Sequence, residues 1–318
     1  MRRPRGAHRT TRTSAAVLLG VLVVTAAALV LLLSTPRALL PDDEKASDSA
    51  IAGTEVLDRS IAPERNDSAV TTTSESGVTV TADESFLETD AFLLVNEEIA
   101  SLTQDGTELG VVLLDLETGR GLTYDADTWR YPASCIKAAY CTMLLEDEDT
   151  RGEVSRELIE ECLVDSSNDA YDALFTAYGL TAFSSWLIEH GAPEAGANAL
   201  DHQYPSISAQ ELAVVWQEIW RFGTSGEPGA LELTDYLGRT NYSPLGDLLR
   251  EDGPREVWSK AGWYPQDEYD ISATNDAGVV FSASGPYVLV VMTTISADLD
   301  ALTPLIGALD AAHAEMSP

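Results

Sequence analysis

Lysine is almost missing from this chain of 318 residues: only Lys45, Lys137 and Lys260 occur among its 19 basic residues. Positive charge of any kind is scarce, since 52 acidic residues bring the formal net charge to −33 and the pI to about 4.1. Such a chain repels nucleic-acid backbones, so partners of that class are excluded. There are three cysteines, Cys135, Cys141 and Cys162, at no zinc-ligand spacing. The four histidines, His8, His190, His202 and His313, form no metal pair in sequence. The expectation is therefore no metal and no cofactor. A Gly-x-Ser-x-Gly elbow and a phosphate-binding loop are also missing, which removes the usual Ser-His-Asp hydrolase and nucleotide-binding readings.

With 45% hydrophobic residues, the chain can bury a substantial core. Its N-terminus carries Arg2, Arg3, Arg5, Arg9 and Arg12, followed by an uncharged run from Thr13 to Pro36 with an apolar heart from Ala15 to Leu33. That run is long enough to span a bilayer as a helix, and its basic flank predicts a cytoplasmic N-terminus. Residues 1–14 thus read as a basic tail and 15–36 as a membrane anchor, with the remainder outside. The rival reading is a cleaved signal peptide and a secreted protein. Residues 37–84 are rich in Asp, Glu, Ser and Thr and read as a disordered acidic stalk. The folded domain is expected over 85–318.

Within it, apolar spacing from Phe92 to Leu102 predicts a helix, and Leu109 to Leu116 a buried strand. A turn at Thr118-Gly119 then leads into a returning strand, Gly121 to Tyr124. A mostly helical stretch follows from Ser134 to about Arg250, one helix opening on the capping-box pair Ser208 and Glu211. Strands are expected over 257–263, 278–282 and 287–293, then a helix over 298–313. Strands and helices are segregated, so the expected class is α+β: an antiparallel sheet flanked by terminal helices, with a separate, mostly helical lobe.

The scarcity of lysine directs attention to Lys137 and Lys260. Lysine loses its proton when desolvated or crowded by another cation, and arginine essentially does not. Lys137 follows Ser134 by three residues, a spacing that puts both on one helix face. A serine is a weak nucleophile without a base in reach, and a neutral Lys137 supplies one. Ser166-Ser167-Asn168 and Lys260-Ala261-Gly262-Trp263 are the other two candidate elements. Taken singly, Ser166 reads equally as a helix cap and Lys260 as a solvated strand residue; the three together, in this order, carry the signal.

Ser134-x-x-Lys137, Ser166-x-Asn168 and Lys260-x-Gly262 resemble the three motifs of penicillin-recognising serine enzymes, the class A β-lactamases and D-alanyl-D-alanine peptidases. The approach Tyr124 to Ser134 and the segment Thr274 to Val280 are similar to that family as well. The resemblance implies a β-lactamase-like fold, with the site between sheet and helical lobe. It makes Ser134 the acylated nucleophile, Lys137 its base and Ser166 the proton shuttle to the leaving nitrogen. Asn168 binds the substrate amide, and Lys260 supplies positive potential. The backbone N–H groups of Ser134 and Trp263 form the oxyanion hole. Substrates would be β-lactams or peptidoglycan stem peptides. Some relatives join the helices that here carry Cys141 and Cys162 by a disulfide; three separate core thiols are the alternative.

Four departures stand out. The third motif has Ala261 where the family has a hydroxyl that helps bind a carboxylate. The loop from Pro193 to Ser206 places Tyr204 where class A enzymes hold the glutamate that activates water, leaving Glu194 and Asp201 as stand-ins or as solvated loop residues. Ser134 and Ser166 are closer in sequence than in class A enzymes, and the second motif has Ser167 in place of Asp. Three functions follow from these features: a serine hydrolase of cell-wall peptides or β-lactams, a β-lactamase with atypical deacylation, or a slowly acylating or non-catalytic penicillin-binding sensor.

Overall fold

A computed structural model describes residues 69–251 and 255–316. The proposed anchor and most of the proposed stalk lie outside these residues. Among the described residues, no helix is long and apolar enough to cross a membrane.

The chain enters through β1 (Val70–Thr73) and β2 (Thr79–Ala82), runs through α1 (Asp90–Thr103), and forms the hairpin β3 (Leu109–Asp115) and β4 (Gly121–Tyr124). After the short β5 (Trp129–Arg130) comes a 3-10 turn, Ala133–Cys135, that leads directly into α2 (Ile136–Glu146). The helical lobe continues with α3 (Glu148–Glu153), α4 (Arg156–Leu163), α5 (Asn168–Tyr178), α6 (Thr181–Glu189) and α7 (Pro193–Ala199). It is completed by β6 (Ile207–Ser208), α8 (Ala209–Gly223), α9 (Ala230–Gly238) and α10 (Pro244–Glu251). The chain returns through β7 (Glu256–Tyr264), β8 (Ala273–Ser282) and β9 (Gly285–Thr293) and ends in α11 (Thr303–Met316).

Seven strands form one antiparallel sheet in the order β1-β2-β4-β3-β9-β8-β7. The two groups of strands expected from the sequence join where β3 pairs with β9, Leu109 opposite Thr293 and Asp115 opposite Tyr287. At the centre of the sheet, along β3 and β9, both faces are buried. Val111, Leu113, Leu289 and Val291 pack with apolar residues of α1 and α11, while Val112, Val288, Val290 and Met292 pack with α2 and α8. Neighbouring residues along β3 and β9 thus serve different cores, which is why both read as continuous apolar runs and not as alternating ones.

The expected stalk extended too far. Residues 70–82, assigned to it, form β1 and β2, so the ordered domain begins before residue 85. The segment is polar in composition, but its Thr and Val residues suit a strand, and Val78, Val80 and Ala82 are buried against the core. The capping box is present: Ser208 Oγ accepts the Glu211 N–H at 3.1 Å. The Glu211 carboxylate also accepts the N–H groups of Glu194, at 2.8 Å, and Ala195, fastening the start of α7 to that of α8.

Candidate active site

Ser134 stands in the 3-10 turn ahead of α2. Its neighbour Ala133 has φ 47°, in the left-handed region that non-glycine residues rarely occupy. The turn is held on one side by Asn275 of β8, whose Nδ2 donates to Tyr131 O at 3.0 Å while its Oδ1 accepts the Thr293 N–H. The turn also packs against β7, which pairs with β8 and is one of the two edge strands of the sheet. A Cβ on Gly262 would fall 2.5 Å from Pro132 O and 2.6 Å from Ser134 N. Glycine therefore lets β7 touch the backbone that carries Ser134. The space that its missing side chain leaves is filled by this turn.

The three motifs meet through the two lysines, both fully buried. Lys137 Nζ donates to Ser166 O at 2.7 Å, Asn168 Oδ1 at 2.7 Å and Ser167 O at 3.3 Å. Lys260 Nζ donates to Ser166 Oγ at 2.9 Å and to Ala261 O at 3.1 Å. Ser166 makes both links from a left-handed backbone, φ 57°, of the kind that concentrates at functional sites. It is not the helix cap: Ser167 caps α5, accepting the Ala170 N–H at 3.1 Å. Nor is Lys260 a solvated strand residue.

Burial lowers the Lys137 ammonium to about 8, and the neighbouring Lys260 charge acts in the same direction. Burial also lowers Lys260. Among the described residues no hydrogen bond joins Ser134 Oγ to Lys137. All three ammonium protons of Lys137 have acceptors, and a neutral amine would release one of these bonds to receive a proton. The weakest is to Ser167 O.

Sequence reasoning missed Asp276 as a support and read Tyr204 only as standing in the place of a glutamate. Asp276, opposite Ala261 in the β7–β8 pairing, is fully buried and accepts from Ser243 Oγ at 2.8 Å and Leu245 N at 2.9 Å. Burial raises its carboxyl to about 7. Tyr204 donates to Asn168 Oδ1 at 3.3 Å and packs with Tyr171 and Tyr131 at ring centroid distances of 5.2 and 6.0 Å. Burial raises its phenol, so it stays a donor. Glu194 and Asp201, by contrast, are exposed and make no side-chain bond to a motif residue. Trp263 stacks edge-on with Tyr242 at 5.5 Å. All three cysteines are free, buried thiols, with no disulfide between Cys141 and Cys162.

Residues 153–312 match the family model described as the β-lactamase enzyme family, about half of the chain. The chain belongs to the β-lactamase enzyme family. The matched span holds Ser166, Asn168, Lys260 and Gly262 and begins after Ser134 and Lys137. Among solved structures, a β-lactamase from Sphaerobacter thermophilus is similar with TM-score 0.59 and 16% identity, over 70% of this chain and 95% of that one. A β-lactamase from Chitinophaga pinensis gives 0.55 and 19%, over 71% and 97%. A variant of the last common ancestor of Gram-negative class A β-lactamases gives 0.55 and 22%, over 69% and 97%. No curated protein matches. The fold is β-lactamase-like, as expected from the motifs, and the family membership makes the protein a serine hydrolase.

Proposed function

We propose that this protein is an extracytoplasmic serine hydrolase that forms an acyl-enzyme through Ser134 with β-lactams or D-Ala-type cell-wall peptides. The observation that carries the reading is the continuous chain Lys137–Ser166–Lys260, in which one serine accepts a hydrogen bond from each of two buried lysines. Neutral Lys137 takes the Ser134 hydroxyl proton as Oγ attacks the carbonyl carbon. The negative charge that develops on the carbonyl oxygen is held by the backbone N–H groups of Ser134 and Trp263. The C–N bond breaks, Ser166 passes its proton to the leaving nitrogen and is re-protonated at the expense of the Lys137 ammonium, and an ester to Ser134 remains. Asn168 orients both Lys137 and the substrate amide. Water then frees the acid. The membrane-anchored location rests on the apolar run and its arginine flank in the N-terminal residues.

A second reading is a penicillin-binding sensor that acylates and deacylates slowly. It is favoured by Tyr204, a phenol bonded to Asn168 in the loop where class A enzymes place a carboxylate.

Labelling with a fluorescent penicillin, followed by intact mass over time, tests both. Label on the wild type and none on Ser134→Ala supports the acyl-enzyme. Loss of label within seconds to minutes makes it a hydrolase of β-lactams, and label persisting for hours favours the sensor or a peptidase. No label on folded protein, with no turnover of D-Ala-ended peptides or esters, would overturn both. Protease accessibility of the domain on intact cells tests the location.

A further inference from the structure

Away from the three motifs, side chains from three helices converge. Glu146 ends α2, His190 follows α6 and Glu218 lies within α8. His190 Nδ1 is 3.3 Å from Glu218 Oε2, and its Nε2 is 3.9 Å from Glu146 Oε2. One ligating atom from each residue can be chosen so that all three lie within 4.8 Å of one another. Ligands on one zinc ion, bound at about 2.0–2.2 Å, stand roughly 3–3.5 Å apart. One of these pairs is already in that range, and modest rotations at the ends of long side chains would close the others.

The surroundings suit a cation. Arg221 donates to both carboxylates, to Glu146 Oε1 at 2.9 Å and to Glu218 through Nε at 2.7 Å and through Nη2. Trp186 Nε1 donates to Glu146 Oε2 at 2.9 Å. Each carboxylate keeps spare lone pairs, and outer donors of this kind fix the orientation of ligating groups. Two carboxylates against one guanidinium leave one negative charge unbalanced around a neutral imidazole. One imidazole nitrogen with carboxylate oxygens suits zinc-class ions better than magnesium or calcium, which favour oxygen alone. A cavity of about 440 Å³ reaches the cluster, with Met143, Tyr178, Trp186, Glu146 and His190 in its wall. It gives an ion a way in and room for water at a fourth position.

We propose that Glu146, His190 and Glu218 form a zinc-class divalent-cation site whose open position faces this cavity, clamping the end of α2 to α6 and α8. Glu146 sits at the opposite end of α2 from Lys137, so the site is separate from the serine chemistry. The rival occupant is a proton on His190, which faces Glu146, Glu218 and Arg221; the Glu218 carboxylate holds the imidazole above its ordinary value. Metal and proton compete, so zinc binding should weaken as pH falls.

The test uses the full-length protein stripped with EDTA and dialysed. Zinc titration by calorimetry should show one equivalent bound. At a hundredfold excess over Kd, zinc should raise Tm by about 5–10 °C. Cobalt should give the intense visible bands of a low-coordinate site. His190→Gln and Glu146→Gln should each lose these signals, and Ser134→Ala should keep them. If one ligand variant fails to fold, the other gives the reading. Absence of stoichiometric binding, or binding undiminished in the folded ligand variants, would overturn the proposal, as would stability that follows pH but ignores zinc.

Discussion

Lys260 Nζ lies 2.9 Å from Ser166 Oγ although 94 positions separate the two residues. The bond fixes the hydroxyl that would carry the proton to the leaving group and keeps a positive charge beside it. Lys260→Ala and Ser166→Ala should each slow acylation by about 10²–10⁴-fold, the range for loss of a positioned proton donor. Stopped-flow mixing with a fluorescent penicillin measures this. Rates within threefold of wild type would remove Ser166 from the proton path.

Lys137 should set the pH dependence. Its neutral form is the base, and burial brings it to about 8. Below that pH the neutral fraction falls tenfold per unit. The second-order rate of acylation should therefore rise with unit slope towards pH 8 and level off above it. Lys137→Arg should lose the limb along with the activity, because a guanidinium keeps its proton. A profile flat from pH 6 to 9 would assign the base elsewhere.

Gly262→Ala tests the contact between β7 and the Ser134 turn. The added methyl would fall 2.5 Å from backbone atoms that have no flexible side chain to yield. Overpacking of this kind costs about 1–3 kcal/mol. Lower Tm together with acylation reduced by more than tenfold is the expected result, read by thermal unfolding and penicillin labelling.

Tyr204→Glu would place a carboxylate in the loop next to Asn168. The acyl-enzyme should then decay faster, by about 10²-fold if the carboxylate activates water as a general base. The added negative charge should also raise Lys137 and move the acylation limb to higher pH. Tyr204→Phe should do neither. Intact-mass decay curves for the two variants decide it.

The three motifs were legible because each is short, they come in order along the chain, and two of them contain lysine, which this protein otherwise avoids. The sheet core was legible too: β3 and β9 are apolar on both faces, and no other element of that length fits such runs. The start of the domain was not. Strands β1 and β2 pair at the sheet edge, and they are short and Thr-rich, as polar in composition as a loop would be. Asp276 lay inside a recognised segment, but its burial depends on Ser243 and α10, which no local pattern connects to it. The Glu146, His190 and Glu218 cluster was invisible for the same reason, since its members come from three separate helices.

The arrangement around Ser134 also bears on when the site comes into being. Its turn is pinned by Asn275, whose bond to Tyr131 spans 144 positions, and the lysine chain needs α2, the start of α5 and β7 at once. Contacts so distant in sequence close late during folding, after local helices have formed. Penicillin reactivity should thus lag behind recovery of helical signal during refolding. Any partly folded species would be chemically silent, so acylation would report on completion of the whole domain.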